Sequence, residues 1–157
     1  MTLQLRCATM ADARTLFDWR NDPVTRAASH QTDVLSFESH AGWLDATLAN
    51  PLRKLLLAEE QGRPVGTVRI DLCADGSALL SWSVAPEARG RGVATQMVSM
   101  AIQDMPVGCV VRAEIKAGNV ASVKVAEAAG MRMSGQDGDT LYFVRDVVSE
   151  QGPGRVD

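Results

Sequence analysis

The sequence is poor in aromatic residues and cysteine, and it has no long apolar run. Aromatic side chains make up 4% of the 157 residues, and Tyr142 is the single tyrosine. The cysteines, Cys7, Cys73 and Cys109, show none of the C-x-x-C pairs that zinc sites and redox couples use. No stretch reaches the roughly 18 apolar residues of a membrane-spanning helix. We therefore expect no metal site and no membrane partner, and the apolar context of the cysteines predicts buried packing residues.

An excess of positive charge is also missing. The formal net charge of -3 at pH 7 argues against a nucleic-acid partner, which would need a domain-wide basic patch. The N-terminus shows no basic segment followed by an apolar one, so we expect no secretory signal and a cytoplasmic protein. With 46% hydrophobic residues the composition is globular. We expect one domain over residues 1–148 and a disordered tail over residues 149–157.

Helical and strand-like patterns alternate along the chain. Thr9 with Asp12 forms a capping-box pattern, Ser36 and Asn119 are further helix N-caps, and Gly130 is placed to end the last helix. The predicted helices cover residues 9–20, 36–50, 92–104 and 119–130, and the predicted strands cover residues 2–7, 54–60, 65–72, 78–84, 109–116, 131–134 and 140–147. Residues 24–34 are polar and irregular. The order β-α-α-β-β-β-α-β-α-β-β predicts an α/β domain whose central strands form an antiparallel meander.

The stretch "SWSVAPEARGRGVATQMV" delivers a glycine-rich turn from a strand to a helix N-terminus. Free backbone N–H groups and the positive end of the helix dipole then converge on one spot, which is typical of an anion site for a pyrophosphate. The Walker pattern is absent, because no lysine follows Gly92. The Rossmann pattern fails at Thr95, where a third small residue belongs. A surface turn with solvated arginines stays open as an alternative.

Two motifs carry a resemblance to a known family. The pattern V-x-P-x-x-R-G-x-G-V-A resembles the R/Q-x-x-G-x-G/A acetyl-CoA signature of the GNAT acetyltransferase superfamily, matched here by Arg89, Gly92 and Ala94. About thirty residues later, "NVASVKVAEAAGM" is similar to the family's second signature, an Asn that caps a helix ending in Gly-Phe. Met131 replaces the usual Phe.

The resemblance implies a GNAT fold and acetyl-CoA as co-substrate. The expected sheet is mixed, mostly antiparallel, of six to seven strands, splayed between the fourth and fifth strands and flanked by about four helices. Acetyl-CoA would enter the opening, with the backbone of Val84 pairing with pantetheine like an added strand. The residues that the resemblance assigns to acetyl-CoA are Val84, Arg89, Gly90, Arg91, Gly92, Val93, Ala94, Thr95, Asn119 and Ser122.

The sequence does not supply all the catalytic groups that the resemblance leads us to expect. In many members of the family a Tyr seven residues past the Asn protonates the leaving thiolate, and here that position is Ala126. Ser122 is the nearest hydroxyl in the motif, and a bound water is the alternative. For the general base we consider Glu38, His40 and a water. Loss of the acid also leaves open a non-catalytic acyl-CoA-binding module.

The acceptor-side pattern resembles the subgroup that acetylates amino groups on nucleotide-linked sugars. His40 and Trp43 form its H-x-x-W and lie on one helix flank, where they bind the acceptor or merely pack. We also assign Arg69 and Trp82 to the acceptor, although Arg69 could instead pair with Asp71. The expected partner is a small-molecule amine, and the subgroup resemblance implies a nucleotide sugar. The alternative acceptor is a protein N-terminus, as in the ribosomal-protein acetylating subgroup, and the protein is expected to be a monomer or homodimer.

Overall fold

A seven-stranded mixed sheet with the order β1-β2-β3-β4-β5-β7-β6 organises the fold. The computed structural model describes residues 2–147, so the predicted tail lies outside the described residues. The strands are β1 (Leu3–Cys7), β2 (Arg53–Glu60), β3 (Arg63–Leu72), β4 (Ala78–Val84), β5 (Val110–Lys116), β6 (Arg132–Asp137) and β7 (Thr140–Asp146). Each of them overlaps a predicted strand.

The helices are α1 (Ala13–Asn21), α2 (Pro23–Ala28), α3 (Phe37–Ala49), α4 (Val93–Gln103) and α5 (Val120–Ala128). The predicted caps are confirmed: Thr9 and Asp12 form a capping box, Ser36 accepts from Ser39 N–H, and Asn119 accepts from Ser122 N–H. Short 3-10 turns, Met10–Asp12 and Pro86–Ala88, precede α1 and α4. No helix among residues 2–147 is long and apolar enough to cross a membrane.

Helix α2 corrects the sequence prediction, which left residues 24–34 irregular and gave about four helices where residues 2–147 contain five. Asp22 caps α2 by accepting from Thr25 N–H, and Pro23 occupies the first turn. The Asp22-Pro23 pair ends helix α1 and also begins helix α2. None of the six residues of α2 is buried, so no apolar periodicity marks the helix in the sequence.

Strands β4 and β5 are the only parallel neighbours among the described strands, and they pair over only three positions. The pairs are Ala78–Val111, Leu79–Arg112 and Leu80–Ala113. Beyond them β4 stays paired with β3 and β5 with β7, so the two strands part. The expected splay between the fourth and fifth strands is confirmed.

Helices close the core against the sheet. The largest fully buried side chains are Leu44, Leu57, Leu80, Met97, Ile102, Val68, Val98, Val111 and Thr47. Gly66 of β3 lets α4 approach closely, because a Cβ there would lie 2.8 Å from Met97 Sδ.

The cysteine prediction is wrong. Cys7 and Cys73 are exposed and Cys109 is only half-buried. Cys7 ends β1 and Cys73 directly follows β3, where the chain leaves the sheet for a turn, so the apolar neighbours in sequence do not enclose the thiols. Position relative to a strand end, which the sequence places only approximately, decides their exposure.

An ion pair ties β1 to the start of α1. Arg6 donates from Nη1 and Nη2 to the two oxygens of Asp12 at 2.8 Å each, and from Nε to Glu59 of β2. Asp12 also accepts from Thr9 N–H at 2.8 Å. The Arg6 hydrogen bonds lower the pKa of the Asp12 carboxyl below its ordinary value of 3.8. The ionised carboxylate therefore stabilises the folded chain above pH 3.8, and that contribution is lost as the pH falls through the lowered pKa.

Replacing Asp12 by Asn should destabilise the protein at pH 7 by about 1 to 3 kcal/mol, the usual cost of losing hydrogen bonds to a charged group. The difference from the unaltered chain should shrink as the pH falls below 3.8. Urea unfolding between pH 3 and pH 7 measures both effects. The control is Asp18→Asn, whose exposed pair with Arg14 should contribute less than about 1 kcal/mol. A difference that stays constant over this pH range would contradict the assignment.

Candidate functional site

The parting of β4 and β5 opens a continuous cleft with two connected halves. The larger half, the loop-side cavity, has a volume of about 730 Å³ and reaches the glycine-rich loop before α4. The smaller half, the β5-side cavity, has a volume of about 530 Å³ and reaches Glu114, Ile115 and Lys116 of β5. Both halves are lined by Arg20, Ala28, Ser29, His40, Trp43, Arg69, Ser81, Trp82, Asn119 and Ser122. The cleft can therefore hold two molecules that meet in the middle.

The open edge of β4 presents unpaired backbone groups to the cleft. Ala85 N–H donates to Val65 O of β3 at 2.8 Å, so the backbone of Ala85 faces β3. Because successive residues of a strand direct these groups to opposite sides, the N–H and C=O of Val84 face the gap, and those of Trp82 do the same. An extended ligand can add to this edge as a further strand.

The glycine-rich loop is built for an anion. Gly90 and Gly92 have φ values of 77° and 75°, in the left-handed region that favours glycine. A Cβ at either position would meet nothing within 4 Å, so the loop faces open space. Gly92 is the N-cap of α4 and has no side chain to occupy the first N–H groups of the helix. These N–H groups and the helix dipole fit a pyrophosphate, as the sequence predicts.

The two arginines of the loop have carboxylate partners within the protein. Arg89 Nη2 donates to Asp22 Oδ2 at 2.5 Å and to Thr25 Oγ1 at 3.1 Å. The hydrogen bond from Arg89 lowers the pKa of the Asp22 carboxyl. Arg91 Nη1 lies 3.4 Å from Glu60 Oε1. The backbone therefore provides the direct anion contacts, and the guanidinium groups add a partly neutralised positive charge. All the residues predicted to hold acetyl-CoA except Arg91 line the loop-side cavity.

Helix α5 turns one flank to the cleft and the other to the core. Asn119, Ser122 and Val125 line the loop-side cavity, and Asn119 both caps the helix and faces the cleft. Ala126 has no exposed surface and lines neither half. Tyr142 lies on β7, outside both halves. A tyrosine at the usual position would therefore need space that the core does not leave.

His40 is a buried ring in the wall of both halves of the cleft. It is 4% exposed, and its Nδ1 has no hydrogen-bond partner among residues 2–147. Its ring centroid lies 5.2 Å from that of Trp43 and 5.9 Å from that of Phe17. Burial and the charge of Arg20 lower the pKa of His40 below 6.5, so the ring is neutral at neutral pH. His40 does not cap α3, because Ser36 is the N-cap and accepts from Ser39 N–H.

Of the remaining predicted residues, Arg69 and Trp82 line both halves and Glu38 lies outside them. The ion pair between Arg69 and Asp71 is present, with Nε to Oδ2 at 3.2 Å, and the Arg69 guanidinium lies 6.0 Å from the Trp43 ring centroid. Glu38 is exposed on α3. The cleft thus contains one of the two side chains proposed as base, His40.

Four charged residues of the cleft do not figure in the sequence prediction: Arg20, Glu114, Lys116 and Lys124. Glu114 is the only carboxylate among the described residues that line either half, and Lys116 lies two residues further on the same face of β5. In the sequence, these two charged residues alternate with the apolar Ala113 and Ile115, which are buried. This alternation indicates that the charged side chains face away from the core. Arg20 lies in the last turn of α1 and lines the cleft, which nothing in its local sequence indicates.

Comparison with known proteins assigns the family. The model of the acetyltransferase (GNAT) domain matches residues 2–132. The chain belongs to this GNAT family. No curated protein matches the chain significantly. The prediction of an acyltransferase with acetyl-CoA as co-substrate is confirmed at the level of the family, whereas the nucleotide-sugar subgroup stays a prediction.

Solved structures of low sequence identity share the GNAT fold. Spermidine N-acetyltransferase from Vibrio cholerae, in complex with CoA and spermine, has a TM-score of 0.81 at 17% identity, covering 92% of this chain and 95% of that one. Aminoglycoside acetyltransferase AAC(6')-Ib with ribostamycin and coenzyme A has a TM-score of 0.81 at 18% identity, covering 93% and 94%. An N-acetyltransferase from Staphylococcus aureus Mu50 has a TM-score of 0.77 at 19% identity, covering 94% and 99%.

Placing a tyrosine at position 126 should harm this GNAT domain and not improve it. Because Ala126 is fully buried, Ala126→Tyr should cost about 1 to 3 kcal/mol of stability through overpacking, without a gain in kcat. Urea unfolding and a thiol-release assay measure the two quantities. The matched control is Ala128→Tyr, an exposed position of α5 outside both halves of the cleft, which should leave stability within about 0.5 kcal/mol. A faster, fully stable Ala126→Tyr variant would refute this placement of the helix.

Proposed function

We propose that the protein transfers the acetyl group of acetyl-CoA to a primary amine by direct attack while both substrates are bound. The observation that carries the proposal is the shape of the cleft. One half ends at a backbone-lined anion site and the other at a wall of charged side chains, and the open edge of β4 joins them. That arrangement suits a nucleotide thioester entering from one side and a polar amine from the other.

The cofactor side rests on backbone groups. The N–H groups of the loop from Gly90 to Thr95 would hold the pyrophosphate, and the edge of β4 at Val84 would pair with the pantetheine arm. Bound acetyl-CoA supplies an activated thioester. An N–H of β4 that faces the gap is suited to stabilise the negative charge that develops on the carbonyl oxygen during attack. Asn119 contributes an amide beside the same channel.

The acceptor side must supply a neutral amine. The Glu114 carboxylate attracts the ammonium form, and the neutral imidazole of His40 is suited to take its proton. The amine nitrogen then forms a bond to the carbonyl carbon while the carbon–sulfur bond breaks, and the nitrogen gives its second proton to water as the amide forms. The leaving thiolate takes a proton from water or from the Ser122 hydroxyl, since no tyrosine among residues 2–147 lines the cleft.

We further propose an amino sugar joined to a nucleotide as the acceptor. Support comes from the rings of Trp43, His40 and Trp82 in the shared wall, since aromatic faces stack well on a sugar or a base. Arg69 contributes less to this proposal than its position suggests, because Asp71 already pairs with it.

The function is tested by thiol release and thermal shift with acetyl-CoA and three acceptor sets. These are UDP- and CMP-linked amino sugars, short peptides with free N-termini, and simple polyamines. Turnover of the nucleotide sugars alone supports the full proposal. Turnover of peptides would move the acceptor class to protein N-termini. Acetyl-CoA binding without turnover of any amine would instead indicate a non-catalytic acyl-CoA-binding module.

Gly92→Asp should weaken acetyl-CoA binding by at least about tenfold, because a carboxylate would enter the anion site. The control is Gly62→Asp, whose glycine has the same φ of 75° and the same open surroundings but lies in the turn between β2 and β3. It should bind acetyl-CoA normally. Calorimetric titration measures both affinities, with circular dichroism to verify the fold. Equal losses in the two variants would show that strain alone is responsible.

Ser122→Ala should lower kcat by less than about tenfold, which would indicate that water donates the proton to the thiolate. General acid catalysis by a positioned side chain is typically worth about 10²- to 10⁴-fold. Steady-state kinetics with saturating acetyl-CoA measures the effect, with Ser99→Ala on α4, outside both halves, as the control. A loss beyond about a hundredfold with acetyl-CoA affinity retained would make Ser122 the acid.

A further inference from the structure

The β5-side cavity is richer in positive than in negative side chains. Arg20, Arg69 and Lys116 line it, and Glu114 is the only carboxylate among the described residues that do so. Arg69 is paired with Asp71, and Lys116 Nζ donates to the Ala27 carbonyl oxygen at 3.2 Å. A carbonyl oxygen holds the ammonium in place without cancelling its charge. The cavity therefore carries positive charge that the surrounding protein does not fully balance.

Arg20 is the least satisfied of these cations. Its Nη2 donates to the Gln31 carbonyl oxygen at 2.7 Å, and its Nη1 is buried without a hydrogen-bond partner among residues 2–147. No carboxylate in that range forms a salt bridge with it. Burial and the nearby charge of Arg26 both lower the pKa of Arg20, which means that the surroundings oppose the cation. The buried Nδ1 of His40, in the same wall, also lacks a partner among these residues.

An unpaired, partly buried guanidinium costs free energy, and this one lines the cavity where the acceptor is proposed to bind. A ligand that neutralises it on binding recovers that cost. A guanidinium presents several N–H donors in one plane, which matches the oxygens of a phosphate or a carboxylate. A polyamine carries positive charge only, so the same wall repels it.

We infer that the acceptor carries an anionic group, a phosphate or a carboxylate, in addition to its amine, and that Arg20 binds this group. The inference rests on the proposed function and names the feature of the substrate that the cleft selects. Arg20 fixes the anionic end of the acceptor while Glu114 attracts the amine. Arg20 is thus a residue that determines specificity and takes no part in bond making.

The test uses pairs of amines that differ only in the anionic group. Glucosamine is compared with glucosamine 6-phosphate in the phosphate arm, and 1,5-diaminopentane with lysine in the carboxylate arm. Each is titrated calorimetrically into the CoA-bound protein and is also assayed for acetylation. The variant is Arg20→Gln. The control is Arg14→Gln on the same helix, an exposed arginine paired with Asp18 and lying outside the cleft.

The anionic member of at least one pair should bind about ten- to a hundredfold more tightly than its neutral or cationic partner. Arg20→Gln should remove that preference by weakening the anionic member alone, and in the acetylation assay it should raise KM with little change in kcat. Arg14→Gln should keep the preference. The arm that responds identifies the group as phosphate or carboxylate.

Two results would overturn the inference: no preference in either arm for the unaltered protein, or an equal loss for both members of a pair in Arg20→Gln. Failure of the proposed function is distinguishable, because it would appear as tight, Arg20-dependent binding of the anionic amine without acetylation. A purely structural role of Arg20 would also lower the unfolding temperature and weaken the neutral or cationic member of each pair. The inference requires that the affinity for that member stays unchanged.

Discussion

The fold depends on the short parallel contact between β4 and β5. Three residue pairs join the two halves of the sheet, and the strands then diverge. The contact is long enough to make one sheet, and its early end leaves the backbone of β4 without a neighbour next to the first turn of α4. A sheet that stayed paired to Val84 would have no cleft, and the glycine-rich loop would face a closed edge. The loop-side cavity, the open edge of β4 and the β5-side cavity are consequences of the same divergence.

The two halves of the cleft use different sources of positive charge. On the loop side the attraction comes from backbone N–H groups and the dipole of α4, with Lys124 at the wall, while Arg89 and Arg91 are engaged by Asp22 and Glu60. On the β5 side it comes from whole side-chain charges, Lys116 and the Arg20 of the shared wall, whose described hydrogen bonds go to carbonyl oxygens. Backbone donors are fixed in place by the fold and suit a cofactor common to a family. Side chains change easily between related sequences and suit the recognition of one particular acceptor.

The features that the sequence predicts well are those set by neighbouring residues. Helix caps at Thr9, Ser36 and Asn119, the end of the last helix at Gly130 and the approximate positions of the strands all follow from short-range chemistry. The features that it misses depend on packing between distant segments. Whether position 126 faces the cleft or the core is decided by how α5 sits against α4 and β5.

The same holds for the partners of charged groups. Asp22 and Arg89 are 67 residues apart, so the sequence indicates a basic loop, whereas in the structure the Arg89 guanidinium is paired with the Asp22 carboxylate. His40 lies in the predicted helix, yet its burial depends on Phe17 of α1. The family signature locates the cofactor side of the cleft through local motifs. On the β5 side, assembled from α1, α2, α3 and β5, the local H-x-x-W pattern indicates only His40 and Trp43, and the charged side chains become visible only in three dimensions.

Helix α2 lies between the two sides of the cleft and is held by a side-chain hydrogen bond at each end. Its N-cap, Asp22, holds Arg89 on the loop side, and the carbonyl of Ala27 near its C-terminus holds Lys116 at the end of β5. Six residues of α-helix measure about 9 Å, so the helix keeps a fixed distance between the two walls of the cleft. Inserting a single residue would turn one end of the helix by about 100° relative to the other, and the two hydrogen bonds could no longer form together. The width of the opening is therefore encoded in the length of a short helix with no buried side chain.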